Sequence, residues 1–253
     1  MTPRPAAEEV ADRVYRVEHA HVNVYLVRNG DDLLLVDAGL PRHWARLMLA
    51  LEELRLGPEA LRALVITHGH FDHLGTARRL QREFGVPVWA HPDDFFIAEH
   101  PYRYDHERSR PAFLALHPSG ARIVTRMALG GALGVRGITD LQTFRGGDEL
   151  DVPGSPTAIA TPGHTDGHCA LHLPDHGVVF SGDALVTLDP YTGRTGPRIV
   201  AGAATADSPR AKASLAAIGA LSGSVLLPGH GAPWYGAMQD AEAIARSNTG
   251  SLR

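Results

Sequence analysis

A dense run of metal-ligand residue types, His-x-His-x-Asp-His, occupies residues 68–73 of this chain. One residue before it, the short, apolar and β-prone run 63–66 ends, and this run predicts a buried strand. Imidazole nitrogens and carboxylate oxygens bind divalent metals such as zinc. His68 and His70 alternate along an extended backbone and can point the same way, whereas Asp72 and His73 follow as the chain turns towards a helix. One loop therefore offers two sets of ligands, which indicates two metal ions.

Further ligand-type residues follow strand-like segments later in the chain: His164 in a Pro-Gly turn, Asp183 and His230. A lone histidine binds a metal in only about one case in ten, by our estimate from the general behaviour of this residue. Here ligand-type residues follow several predicted strands, and this repetition makes metal binding the favoured interpretation. Loops at strand ends are also where sites are commonly built.

The composition is that of an ordinary globular protein, and 253 residues suffice for one domain spanning residues 1–253. The net charge of −4 argues against a nucleic-acid partner, and no apolar run is long enough to span a membrane. The N-terminus lacks the apolar core of a signal peptide. The single cysteine excludes an intrachain disulfide and fits a reducing cytoplasm. We expect a cytoplasmic protein that acts on a small molecule.

Strands and helices that would position these residues can be read from the hydrophobic pattern. Strands are predicted at residues 14–17, 22–27, 33–36, 64–66, 86–90, 157–160, 170–173, 178–181 and 225–227. Helices are predicted at residues 41–54, 76–84, 209–221 and 239–246, with a hairpin turn at 29–32. Each half of the chain thus runs through strands and a helix to a strand that ends in a histidine loop.

Residues 92–141 interrupt this rhythm and are predicted to be mainly helical, over 93–99, 111–116 and 121–133. We interpret the segment as an insertion that packs over one side of the site. Three roles are open for its apolar residues: they could line a substrate pocket, form a small separate core, or contact a second copy in a homodimer. These residues are Phe95, Phe96, Phe113, Leu114, Leu116, Met127 and Leu129.

The order of the ligand motifs resembles the metallo-β-lactamase-fold hydrolase superfamily, and the resemblance covers residues 14–245. It implies an α+β fold, a four-layer αββα sandwich with the metals at one edge of the two sheets and a helical insertion around residues 92–141. It also implies two ligand triads and one bridging residue: His68, His70 and His164; Asp72, His73 and His230; and Asp183.

Two metal ions, most simply Zn²⁺ with Fe or Mn as alternatives, would lower the pKa of a water held between them from about 16 towards about 7. The resulting hydroxide would attack a carbonyl or phosphoryl centre, with Asp72 and Asp183 as the catalytic carboxylates. Ser181 and Cys169 would then be structural.

Several residues near these motifs are candidates for supporting roles. Asp37 is favoured as a hydrogen-bond partner of a ligand histidine over a simple turn residue. His168 would support the site without binding metal, and Tyr191 could donate to the substrate. His21 and Asn23 could border the pocket, although a purely hairpin role is the simpler interpretation. The remaining histidines are read as surface or packing residues: His19, His43, His100, His106, His117, His172 and His176.

Within the superfamily, Asp183 and the absence of a secretion signal argue against a β-lactamase. The complete ligand set is more similar to glyoxalase II-type thioesterases and lactonases, which predicts hydrolysis of an ester, lactone or thioester. No basic cluster for a glutathione carboxylate is visible near the C-terminus, and no basic arm indicates a nuclease or phosphodiesterase. Two other classes stay open: a mononuclear iron enzyme similar to persulfide dioxygenases, using His68, His164 and Asp183, and a non-catalytic metal-binding protein.

Overall fold

The first half of the chain builds a seven-stranded sheet, seen in a computed structural model that describes residues 5–248. Its strands follow chain order: β1 (Glu8–Ala11), β2 (Val14–His19), β3 (Val22–Asn29), β4 (Asp32–Val36), β5 (Leu61–Val65), β6 (Val88–Ala90) and β7 (Gln142–Thr143). β1 to β4 pair antiparallel, and β4 to β7 pair parallel. The crossovers between the parallel strands contain α1 (His43–Glu53) and α2 (Ala77–Phe84). The predicted hairpin turn between β3 and β4 is confirmed.

The insertion enters between β6 and β7, and its helical character is confirmed. It contains α3 (Phe95–Glu99), α4 (Arg110–Leu116) and α5 (Pro118–Met127), and a π-helical turn over Ala128–Ala132 continues α5. The third helix therefore starts earlier than the predicted residue 121, because Pro118 is well suited to a first helical turn.

The second half builds a five-stranded sheet with the order β14-β13-β10-β9-β8. Its strands are β8 (Thr157–Ala160), β9 (Cys169–Leu173), β10 (Val178–Gly182), β13 (Val225–Pro228) and β14 (Trp234–Tyr235). A separate ribbon pairs β11 (Val186–Leu188) with β12 (Thr195–Arg198). The helices are α6 (Ser208–Gly219) and α7 (Met238–Asn248). The side chain of Asp207 accepts a hydrogen bond from Arg210 N and caps α6, as the sequence predicted.

Three apolar cores separate four layers. Side chains such as Leu34 of β4 and Phe180 of β10 fill the space between the two sheets. The opposite face of the first sheet packs against Leu47 of α1, and that of the second sheet packs against Leu215 of α6 and Ala241 of α7. The predicted αββα sandwich is confirmed.

The ligand loops lie at equivalent places in the two halves. β4 and β5 form a parallel pair connected through α1, and β10 and β13 form a parallel pair connected through α6. β5 runs into the loop that carries His68, β10 into Asp183, and β13 into His230. Because parallel strands end at the same sheet edge, the topology brings these loops together.

The apolar residues of the insertion do not form a single pocket wall. Phe113 and Leu114 pack in a small core with Tyr191, and Met127 packs in another with Val22 and Leu40. The small-core interpretation is therefore confirmed for these three residues. Phe96, Leu116 and Leu129 are 58%, 78% and 65% exposed. Within residues 5–248, no helix combines the length and apolar character needed to cross a bilayer.

Candidate metal centre

All seven predicted ligand residues converge at one edge of the two sheets, and all are buried. They fall into three groups in which one ligand atom of each residue lies within 4.8 Å of the others. The groups are His68, His70 and His164; His68, His73 and Asp183; and Asp72, His73 and His230. The first and third groups are the two triads that the family resemblance implied.

Asp183 lies between the two triads. Its Oδ2 is 3.5 Å from Nε2 of His164 and 3.3 Å from Nε2 of His230. Its Oδ1 is 3.6 Å from Nε2 of His73. A carboxylate placed in this way can give one oxygen to each of two cations, so the position fits a bridge.

Five of the polar atoms in the cluster lack hydrogen-bond partners. They are Nε2 of His68, His70, His73 and His230, and Oδ1 of Asp183. Burial of polar atoms without a partner is costly, and native structures rarely leave several of them together. Soft-to-borderline nitrogen donors beside a carboxylate are a donor set that zinc and iron accept. The residues present therefore fit a divalent metal site.

Asp37 orients the ring of His73 towards the cluster. Its Oδ2 lies 2.9 Å from Nδ1 of His73, which leaves Nε2 of that ring facing the cluster. Thr67 donates its backbone N–H to Oδ1 of Asp37 over 2.8 Å and its hydroxyl to Oδ2 over 2.9 Å. Asp37 adopts φ +61°, a conformation that Asp tolerates better than most residues. The predicted supporting position of Asp37 is thus observed.

His168 contacts the backbone at Asp183. Its Nε2 accepts hydrogen bonds from the backbone N–H of Asp183 over 3.0 Å and of Ala184 over 3.2 Å. Its Nδ1 is 2.8 Å from the hydroxyl of Thr161, so both ring nitrogens are occupied. The ring holds the backbone that carries Asp183 and has no free nitrogen for a metal, as predicted from the sequence.

Asp94 ties two ligand loops together and was missed by the sequence analysis. The carboxylate is buried and accepts hydrogen bonds from the backbone N–H of Gly69 and of Gly167, both over 2.8 Å. It also accepts the hydroxyl proton of Thr165 over 2.7 Å. Because Asp94 opens a helix of the insertion, its sequence context indicated only a helix start. Burial raises the pKa of Asp94 despite these three donors.

The protonation of the histidines follows their surroundings. Burial lowers the pKa of His68 and His70, and it lowers the pKa of His164 to about 4, so these rings are neutral at pH 7. Burial acts the same way on His230, but the charges of Asp183 and Asp72 outweigh it and raise the pKa of His230 to about 10. The carboxylates thus attract positive charge at the second triad, and a bound cation would displace that proton.

Tyr104 and Arg110 of the insertion cover the first triad from outside. The ring of Tyr104 stacks on His70 with centroids 3.7 Å apart, and the guanidinium of Arg110 lies 4.2 Å over the other face of Tyr104. The hydroxyl of Tyr104 is hydrogen-bonded to that of Tyr191. Burial and the nearby charge of Asp72 raise the pKa of Tyr191 to about 12. The insertion therefore does pack over one side of the site, through residues that the apolar pattern did not identify.

His21 and Asn23, the two residues predicted either to border the pocket or to serve only the hairpin, both contact the loop of His230. The side chain of Asn23 is buried and donates to the carbonyl oxygens of Pro228 and Gly231, both over 2.8 Å. The backbone oxygen of His21 accepts a hydrogen bond from Nδ1 of His230 over 2.8 Å. Both residues also border a groove of about 660 Å³. The hairpin role and the pocket role thus coexist.

The hydroxyl and thiol near the centre do not reach it. The hydroxyl of Ser181 donates to the carbonyl oxygen of Leu185 over 2.7 Å. Cys169 is buried, and burial raises the pKa of its thiol to about 12. A protonated, inaccessible thiol is a poor nucleophile, which supports the structural role predicted for both residues.

Comparison with known proteins agrees with this geometry. The family model described as "Metallo-beta-lactamase superfamily" matches residues 18–230. The probable metallo-hydrolase YflN of Bacillus subtilis (strain 168) is 29% identical, over 91% of this chain and 88% of that protein. The hydroxyacylglutathione hydrolase GloC of Haemophilus influenzae is 28% identical, over 55% of this chain and 56% of that protein.

Among solved structures, TTHA1623 in a di-iron-bound form superposes with a TM-score of 0.60 at 26% identity. The superposition covers 96% of this chain and 98% of that one. The matched family model spans every ligand-type residue from His68 to His230, so the resemblance found in the sequence is confirmed. This chain is a member of the metallo-β-lactamase superfamily.

Proposed function

We propose that the protein is a dinuclear metal-dependent hydrolase that cleaves an ester, lactone or thioester. The observation that carries this proposal is the position of Asp183, whose Oδ2 is within 3.5 Å of a histidine from each triad. The unpartnered, inward-facing atoms of both triads support two ions rather than one. Zinc is the metal we propose, and the di-iron form of TTHA1623 makes iron the alternative to test.

Two divalent ions, held by the two triads and Asp183, would supply Lewis acidity and a hydroxide at neutral pH. The residues of the chain provide the rest of the chemistry. Burial alone would raise the pKa of Asp72, but its contacts with His230 and His73 outweigh that effect and lower it. Asp72 is therefore a carboxylate at pH 7, and its oxygens can accept a proton of the attacking water and orient it.

We assign to the hydroxyl of Tyr191 the role of donor to the oxygen that becomes charged during acyl transfer. It is protonated at pH 7, hydrogen-bonded to Tyr104, and within the electrostatic reach of Asp72. A fixed neutral donor at a developing oxyanion lowers the barrier, and loss of such a donor typically costs a factor of about 10²–10³ in rate.

The similarity to the hydroxyacylglutathione hydrolase GloC supports an acyl substrate over a phosphodiester. The mononuclear oxidative alternative would use His68, His164 and Asp183 alone. It would leave Asp72, His73 and His230 buried, converging and without a function. The geometry therefore favours hydrolysis.

The test is hydrolysis of a panel of esters, lactones and thioesters by the zinc-loaded protein and by two variants. Asp183→Asn should lose metal and activity together, whereas the exposed Asp175→Asn serves as a matched control and should retain both. Thiol-dependent oxygen uptake by an iron-loaded protein with no hydrolysis of the panel would contradict the proposal.

A further inference from the structure

A groove of about 660 Å³ lies beside the metal centre, between the β2–β3 turn, the start of α1, the end of α5 and the loop after His230. The seven ligand-type residues do not line it. It is nevertheless joined to them through His230. Gly231 forms part of the groove wall, and Nδ1 of His230 donates to the backbone oxygen of His21, another wall residue.

The groove carries two guanidinium groups without a carboxylate partner. Within residues 5–248, the side chain of Arg42 makes no ion pair or hydrogen bond, and that of Arg126 has one hydrogen-bond partner, Nε2 of His21, over 3.0 Å. A third guanidinium, that of Arg16, is already paired with Glu8 over 2.7 Å. Two unpaired cations are therefore available to a ligand.

Only one carboxylate faces these cations from the groove wall, that of Glu18, which also accepts a hydrogen bond from the backbone N–H of His21. A guanidinium can only donate, so Nε2 of His21 is the acceptor and the ring is neutral. Two cations and one anion leave a net charge of one positive unit in the groove. This balance matches a monoanion better than a doubly charged phosphate.

The rest of the wall is aliphatic. Leu129, in the π-helical turn after α5, is 65% exposed, and Leu188 of β11 is half-buried, with Ala20 and Ala232 also lining the groove. Covering exposed aliphatic surface with an aliphatic ligand is favourable. The volume lies within the usual range for small-molecule sites, about 300–1,000 Å³.

We propose that this groove binds one arm of the substrate, an aliphatic chain that ends in a carboxylate, while the scissile acyl group lies at the metal centre. This inference rests on the proposed function. Arg42 and Arg126 hold the carboxylate through charge-assisted hydrogen bonds, and Leu129 and Leu188 contact the chain. Arg42 and Arg126 are specificity-determining residues, since neither belongs to the metal centre.

Binding is tested without turnover by calorimetric titration of the zinc-loaded protein with hexanoate, 1-hexanol and hexyl phosphate. We expect hexanoate to bind at least about tenfold more tightly than hexanol, and more tightly than hexyl phosphate. The double variant Arg42→Gln/Arg126→Gln should lose this preference. Arg122→Gln, an exposed arginine on α5 outside the groove, should keep it. Hexanoate binding that survives in the double variant would assign the anion to the metals and overturn the inference.

Turnover is tested with paired ethyl esters, the monoethyl esters of succinate to suberate against neutral esters of the same chain length. The wild type should favour the best anionic ester by about tenfold in kcat/KM. The double variant should lose that factor while kcat/KM for the neutral esters stays unchanged. Hydrolysis without any carboxylate preference would overturn the groove inference alone. Hexanoate selectivity in binding with no ester, lactone or thioester hydrolysed would instead overturn the proposed function and leave the anion site standing.

Discussion

Replacement of Asp37 by Asn is the most informative single change outside the ligand set. Asn tolerates the φ of +61° at this position, so the backbone is not strained by the substitution. The carboxylate of Asp37 faces three donors: the N–H and the hydroxyl of Thr67, and Nδ1 of His73. An amide offers one accepting oxygen, and its NH₂ group must face one of these donors. The substitution therefore leaves the ring of His73 less firmly oriented and also makes it less basic.

The size of the effect follows from the role of such partners. Loss of a hydrogen-bond partner behind a metal-binding histidine typically lowers metal affinity about 10–100-fold, which corresponds to about 1.4–2.8 kcal/mol. We expect this loss at the second triad, which contains His73, and little change at the first.

The assay is competition for zinc between the protein and a chromophoric chelator, which resolves a tight and a weak site. Asp31→Asn is the matched control because the side chain of Asp31 is 96% exposed. Activity of Asp37→Asn should fall and recover when zinc is added in excess. Unchanged affinity at both sites, or an activity loss that zinc does not restore, would refute the reasoning.

Three further predictions concern buried groups. His43→Gln should change the pH dependence of stability: burial lowers the pKa of His43 to about 3, so the unfolded chain binds its proton first and wild-type stability falls below pH 6.5. When the pH is lowered from 7.5 to 5, the free energy of unfolding of the wild type should fall by roughly 2 kcal/mol more than that of the variant, as measured by urea unfolding. Tyr191→Phe should keep its metal but lose on the order of 100-fold in kcat, and an unchanged kcat would exclude the hydroxyl as a donor. Asp94→Ala leaves three buried donors unpaired and should lose on the order of 3 kcal/mol in thermal or urea unfolding, against little change for exposed Asp175→Ala.

The clustering of the seven candidate ligand residues could be predicted from the sequence because they lie at fixed places in the strand pattern. His68, Asp183 and His230 each follow an apolar run that is buried on both faces, and such runs are readily recognised as central strands. Strands with a weaker pattern were missed. β7 and β14 have two residues each, and β12 contains Gly and Pro, so neither length nor alternation marks them.

The residues that hold the ligands in place could be found only in part. Asp37 and His168 lie inside the recognisable motifs, and their supporting positions were predicted. Asp94, Tyr104 and Arg110 belong to the insertion, whose approach to the metal loops depends on long-range packing. Gly120 shows how close that packing is, since a Cβ there would lie 1.7 Å from the backbone oxygen of Tyr191. Hydrophobic periodicity contains no information on such a contact.

The central claim, two metal ions held by the two triads, is tested most directly by counting metal per chain. After reconstitution with zinc and removal of excess, elemental analysis should give two ions per chain for the wild type. His230→Ala should retain about one ion, because the first triad does not include His230. One ion per chain in the wild type, unchanged in His230→Ala, would contradict a dinuclear centre.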